Sequence, residues 1–242
     1  MMTILDVRGL SKRFGGLQAL SDVTFTVPRG QIVGLIGPNG AGKTTFFSTL
    51  VGLIRPDSGS IKLGDTSLVG MKPHKVAALG MTKTFQNVAL FAESSVLDNV
   101  LTAGLLRFDV ATAREQALIC LDRVGLKSVA HKLAGDLSFP ERARVELARA
   151  LCTGPKVLLL DEVMAALNPV EMQEIMDLIR SLRDDGLTLL VVEHHMRAIM
   201  TICDRILVLN FGKLLADGTA QQVANDPVVI EAYLGRSAEA HT

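Results

Sequence analysis

Residues 31–45, QIVGLIGPNGAGKTT, decide how the rest of the chain is read. Gln31 to Ile36 is an apolar run with the composition of a buried strand. It ends abruptly in a glycine-rich turn, and Thr44 to Leu53 then reads as helix. Glycines at 37, 40 and 42 let the backbone curl so that successive N–H groups face phosphate oxygens at the positive end of a helix dipole. Lys43 supplies a point charge between the β- and γ-phosphates, Thr44 offers its hydroxyl to Mg²⁺, and Thr45 reaches the α-phosphate. Gly37, Pro38, Asn39, Gly40, Ala41, Gly42, Lys43, Thr44 and Thr45 are thus the candidate residues for ATP, with Mg²⁺ as its companion ion.

A second element completes this chemistry. Val157 to Leu160 is a short apolar strand that delivers Asp161 and Glu162 to its C-terminal end, where ligands collect in open α/β sheets. Asp161 is placed to hold Mg²⁺ through water, and Glu162 to polarise the attacking water as general base.

The remaining pattern is strand alternating with helix, which implies a parallel sheet with right-handed crossovers. Leu187 to Val192 and Arg205 to Asn210 read as further strands, with a hairpin near Phe211–Gly212 and two short helices after it. Ile4 to Val7, Val23 to Val27 and Ile61 to Leu63 are short strands, the first two in a small antiparallel layer. From Thr84 to Thr153 helical patterning dominates, with candidate helices at Ala111–Val124 and Pro140–Cys152. Asn168, Pro169 and Glu171 are the N-cap, first helical residue and capping-box partner of another helix, which Gly186 ends.

Bulk properties narrow the function classes. Lysine plus arginine and aspartate plus glutamate number 25 each, so charge gives no reason to expect a nucleic-acid partner. The chain has 48% hydrophobic residues, but they lie in short runs, with no window near the ~20 residues of a membrane helix and no signal peptide. The expectation is a cytoplasmic protein. Cys120, Cys152 and Cys203 match no zinc spacing and read as small buried residues. In Glu193-His194-His195 neighbouring side chains diverge, which argues against a metal site there.

Taken in order, the phosphate loop, Gln86, Ser138 before Glu141-Arg-Ala-Arg-Val-Glu-Leu-Ala-Arg-Ala-Leu151, Asp161–Glu162 and His194 resemble the ATP-binding cassette (ABC) ATPases from about Ile4 to Gly235. The resemblance implies a P-loop NTPase of α/β class. Its RecA-like, mostly parallel sheet carries an N-terminal antiparallel β layer and an inserted α-helical subdomain. One domain would span 3–236, with a nucleotide-binding core at 1–83 and 157–236, helices at 84–156 and a disordered tail at 237–242. It assigns Phe14 to stacking on adenine, Gln86 to sensing Mg²⁺ and the γ-phosphate, and His194 to the γ-phosphate. Ser138 would face the ATP of an opposing subunit, because two such domains sandwich each nucleotide between one phosphate loop and the other chain's signature loop.

Departures from the family pattern carry information too. Where the signature usually reads Leu-Ser-Gly-Gly-Gln, this chain has Leu137-Ser138-Phe139-Pro140-Glu141. Pro140 removes an N–H that normally reaches the γ-phosphate, a loss of about 1.5–3 kcal/mol. Val163 stands in place of the usual proline, and Asn168 where many members carry aspartate.

Residues 82–100 and the ending 225–235 look like the subfamily serving branched-chain amino-acid uptake, whose relatives import urea, amides or aromatic acids. That implies a second ABC ATPase subunit, two membrane permease subunits and an external solute-binding protein as partners, with the chain peripheral on the inner face of the membrane. A non-transport ABC ATPase, a small-molecule kinase and a catalytically dead subunit are the competing readings. Missing coiled-coil or basic extensions speak against the first. The order of Gln86, Ser138 and His194 speaks against the second, and intact Glu162 and His194 against the third.

Overall fold

The computed structural model describes residues 2–84, 89–165 and 167–232. Its centre is a six-stranded sheet in the order β10-β9-β3-β8-β7-β6. These strands are β3 (Ile32–Ile36), β6 (Met81–Lys83), β7 (Val157–Asp161), β8 (Thr188–Val192), β9 (Arg205–Asn210) and β10 (Lys213–Gly218). All neighbours pair in parallel except β10, which folds back on β9 through the hairpin expected at Phe211–Gly212. A four-stranded antiparallel sheet, β2-β1-β4-β5, is built from strands on either side of β3 in the sequence. It comprises β1 (Thr3–Phe14), β2 (Leu17–Pro28), β4 (Ser58–Leu63) and β5 (Thr66–Ser67).

The strand residues divide with period two between two cores, as a pleated sheet requires. Ile32, Leu158, Leu160, Leu189, Val191 and Ile206 face a cluster shared with the helices. Their neighbours Val33, Leu159, Leu190 and Leu207 face the antiparallel layer and the first helix. Every residue of β3, β7 and β8 is buried, which explains why these strands read as continuous apolar runs without alternation. Gly34 sits mid-strand because a Cβ there would lie 3.0 Å from Cys203 Sγ and 3.1 Å from Ile199. The close packing belongs to α7 (Met196–Ile202).

The other helices are α1 (Lys43–Leu50), α2 (Pro73–Leu79), α3 (Val96–Gly104), α4 (Val110–Arg123), α5 (Phe139–Cys152), α6 (Pro169–Asp184) and α8 (Ala220–Ala224). Helices α3, α4 and α5 pack on one another, and their apolar faces join the larger core. Helix α1 ends at Leu50, three residues short of the expected Leu53. Gly52 adopts a left-handed φ of +77°, and its Cβ would fall 2.5 Å from Met71 O, so the chain turns there. The start of α6 is as its sequence dictates, with the Asn168 side chain accepting from Val170 and Glu171 N–H and Glu171 bonding back to Asn168 N–H. Helix α8 and a further helical stretch at 227–232 are the two short C-terminal helices; the tail and Gly235 lie outside the described residues. Cys120 and Cys152 are buried and Cys203 half-buried.

No helix among the described residues is long and apolar enough to cross a membrane. Replacing Asn168 by alanine should lower stability by about 1 kcal/mol, the usual value of an N-cap. Urea unfolding of the two chains measures this.

Candidate functional site

The phosphate loop follows β3 directly and is held by contacts only glycine permits. A Cβ on Gly42, at φ +103°, would fall 2.4 Å from Ala19 O in β2. One on Gly37 would fall 2.2 Å from Leu209 O in β9. The hairpin behind the loop adds a bond from Gly212 N–H to Ala41 O at 2.9 Å. Helix α1 starts at Lys43, so its unpaired first-turn N–H groups point out of the loop.

Register brings the catalytic candidates to the same edge. Val192 at the end of β8 is level with Leu35 of β3 on one side and Asp161 of β7 on the other. An open cleft above this edge is lined by Phe14, Leu17, Gln18, residues 39–45, Glu162 and His194. Phe14 is 46% exposed at the end of β1, free to receive a flat ring on one face, while Lys12 Nζ lies 5.3 Å from its ring centre. Glu162 holds φ +54°, a conformation rare for a side chain of its size. His194 Nε2 lies 2.8 Å from Glu162 Oε1. Lys43 Nζ donates to Gly37 O at 2.6 Å and Pro38 O at 3.2 Å. Burial lowers the Lys43 pKa, against the opposing pull of Glu162 and Asp161.

Asp161 lies beneath the cleft. Its side chain is 5% exposed and pairs with Lys83 Nζ at 3.1 Å, and its N–H donates to Thr84 Oγ1 at 3.1 Å. The donor set fits Mg²⁺ carried in on a nucleotide: the carboxylate of Asp161 and the exposed hydroxyl of Thr44 are hard oxygen ligands, and phosphates and water would supply the rest. Among the described residues no group of three or more His, Cys, Asp or Glu is arranged to hold a metal ion.

A family model for the ABC transporter matches residues 20–165, and one for branched-chain amino acid ATP-binding cassette transporters matches residues 213–239. The chain belongs to the ABC transporter family. It is 42% identical to the high-affinity branched-chain amino acid transport ATP-binding protein BraF of Pseudomonas aeruginosa, over 97% of this chain and 98% of that one. The same identity and coverage hold for LivG of Escherichia coli, which carries the same description. Identity to the lipopolysaccharide export ATP-binding protein LptB of Haemophilus influenzae is 37%, again over 97% and 98%. Among solved structures, the ADP conformation of the ATP-binding cassette MJ1267 superposes with a TM-score of 0.89 at 28% identity, covering 97% of this chain and all of that one.

Gln86 is outside the described residues. Ser138 is the N-cap of α5 and not part of the cleft. Glu141 Oε2 accepts from both Ser138 N–H and Ser138 Oγ at 2.8 Å, which lowers the Glu141 pKa. Pro140 fits within the first turn of α5, and Phe139 is half exposed. Val163 packs against the larger core.

Two functional candidates escaped the sequence reading. Lys83 is one, visible only as a lysine at the end of a three-residue strand. Glu193 is the other, 3% exposed directly after the apolar β8; that position was its only signal. Burial pushes the Glu193 pKa up to about 7 from 4.5, while N–H groups of Met164 and His194 oppose the shift.

Replacing Lys83 by methionine leaves Asp161 a buried carboxylate without its nearest partner. Stability should fall by about 3 kcal/mol, at the low end for a broken buried pair because Lys43 stays near. The urea midpoint measures it. Glu193 binds its proton more tightly when folded, so its contribution to stability is full below pH 4.5 and is lost as pH rises through about 7. Glu193→Gln removes that dependence. The variant's stability relative to the parent chain should therefore rise by about 2–3 kcal/mol between pH 5 and pH 8 in urea titrations.

Proposed function

We propose that this cassette is the ATP-hydrolysing subunit of an importer for branched-chain amino acids. The observation that carries the solute class is the match of residues 213–239 to the branched-chain transporter model, with near full-length likeness to LivG and BraF supporting it. In this reading 84–156 form a helical insert on a nucleotide-binding core made of 1–83 and 157–236. The partners are a second ABC ATPase subunit, two permease subunits that hold the chain at the inner membrane face, and an external solute-binding protein.

The chemistry follows from the cleft. Adenine stacks on Phe14, and the phosphates lie along Gly37 to Thr45 at the start of α1. Lys43 exchanges its bonds to Gly37 O and Pro38 O for phosphate oxygens. Glu162 accepts the proton of the attacking water as its oxygen bonds the γ-phosphorus and the bond to the ADP oxygen breaks. His194, 2.8 Å from Glu162, contacts the γ-phosphate and fixes the carboxylate; Gln86 senses the same phosphate and the ion. Thr44, Gln86 and Asp161 would hold Mg²⁺, which would supply positive charge to the phosphates.

Each ATP is shared, so this chain's loop Ser138 to Glu141 completes the partner's site. There the missing Pro140 N–H, and the Glu141 carboxylate that already occupies the Ser138 hydroxyl, weaken the grip on a γ-phosphate. The complex then has one strong site, on this chain's own phosphate loop, and one weak site. In the co-purified complex, Glu162→Gln should abolish most ATP turnover, while the equivalent change in the partner ATPase leaves most of it. Equal losses contradict the asymmetry, and unchanged turnover with Glu162→Gln contradicts the role of Glu162.

A further inference from the structure

The loops that follow β7 and β8 are stitched together, and one buried side chain makes the stitch. Glu162 N–H donates to Val192 O at 2.9 Å, joining the two strand ends by backbone. A further link is the buried Glu193 carboxylate. Met164 N–H, in the loop after β7, donates to Glu193 Oε1 at 2.7 Å. Glu162 therefore lies two residues before that bond, and His194 directly follows Glu193.

We infer that Glu193 is a positioning residue: it holds Glu162 and His194 at their 2.8 Å separation by tying the backbone after β7 to the residue that precedes His194. The inference rests on the roles proposed above for Glu162 and His194. A carboxylate suits the task because it accepts several N–H bonds at once, and inside the protein each such bond is directional and stiff. An apolar side chain there would leave Met164 N–H without this partner. The left-handed backbone at Glu162 adds a reason for the tie. A residue in a sparsely populated conformation persists where its surroundings over-determine it, and Glu193 bonds the chain two residues later. Lys83 and Lys43 neighbour Asp161 and Glu162, so the cluster of three carboxylates is not left without cations.

The test is a double-mutant cycle on ATP turnover in the complex co-purified with this chain. Glu193→Ala should lower kcat by about tenfold or more, since small misplacements of a base and its partner are costly, while KM for ATP changes by less than about twofold. In a His194→Ala background the same change should cost less than about twofold, because the pair it positions is already broken. Glu193→Gln, which keeps one acceptor oxygen for Met164, should recover most of the turnover. Independent, multiplying losses overturn the inference, as does wild-type kcat in Glu193→Ala. If Glu193→Ala does not fold, Glu193→Asp serves in its place, because it keeps the charge and withdraws it by one methylene. Full turnover with Glu162→Gln and His194→Ala would instead overturn the reading of the site itself, and so distinguishes the two failures.

Discussion

Everything in the site depends on the parallel pairing of three buried strands at one level. Hydrogen bonding spaces β3, β8 and β7 by about 4.8 Å each. Register sets Leu35, Val192 and Asp161 side by side. The phosphate loop, His194 and Glu162 thus leave the sheet within one residue of the same edge. Such pairing holds only if both faces of each strand are buried. The chain meets that condition by splitting its apolar residues between a helical core and the antiparallel layer. A slip of one residue in β8 would exchange the two faces and carry His194 away from Glu162.

This architecture concentrates charge where water is scarce. Asp161, Glu162 and Glu193 converge on one edge with Lys43 and Lys83, and the balance is visible in opposite shifts. Burial lowers the Lys43 pKa and raises that of Glu193 to about 7. Asp161 is held by Lys83 and Thr84, both at the end of β6 and both directly before the segment that carries Gln86. The strand that leads into that segment and the carboxylate proposed for Mg²⁺ are therefore one mechanical unit.

Much of this was legible in the sequence because it is local. The phosphate loop is written in glycines at contacts that exclude a Cβ, and the start of α6 in Asn168, Pro169 and Glu171. The buried strands β3, β7 and β8 appear as apolar runs. What escaped is short or depends on distant partners. Helix α2 has seven residues and buries only Val76, and β6 has three, too few for a period. Helix α7 is recognisable only against Gly34. Lys83 and Glu193 matter through bonds to residues 78 and 29 positions away, which no local pattern encodes.

Two halves meet in the function: an intact nucleotide cleft, and a signature loop altered at Phe139, Pro140 and Glu141. The cleft is lined by the phosphate loop, Glu162 and His194 but not by Ser138, and the proposed shared site assigns that place to a second chain. The most direct test is ATP turnover per chain as a function of concentration, for the purified chain alone and with its partner ATPase added. Turnover per chain should rise with concentration and rise further with the partner. A value constant with concentration and unmoved by the partner would contradict the shared site.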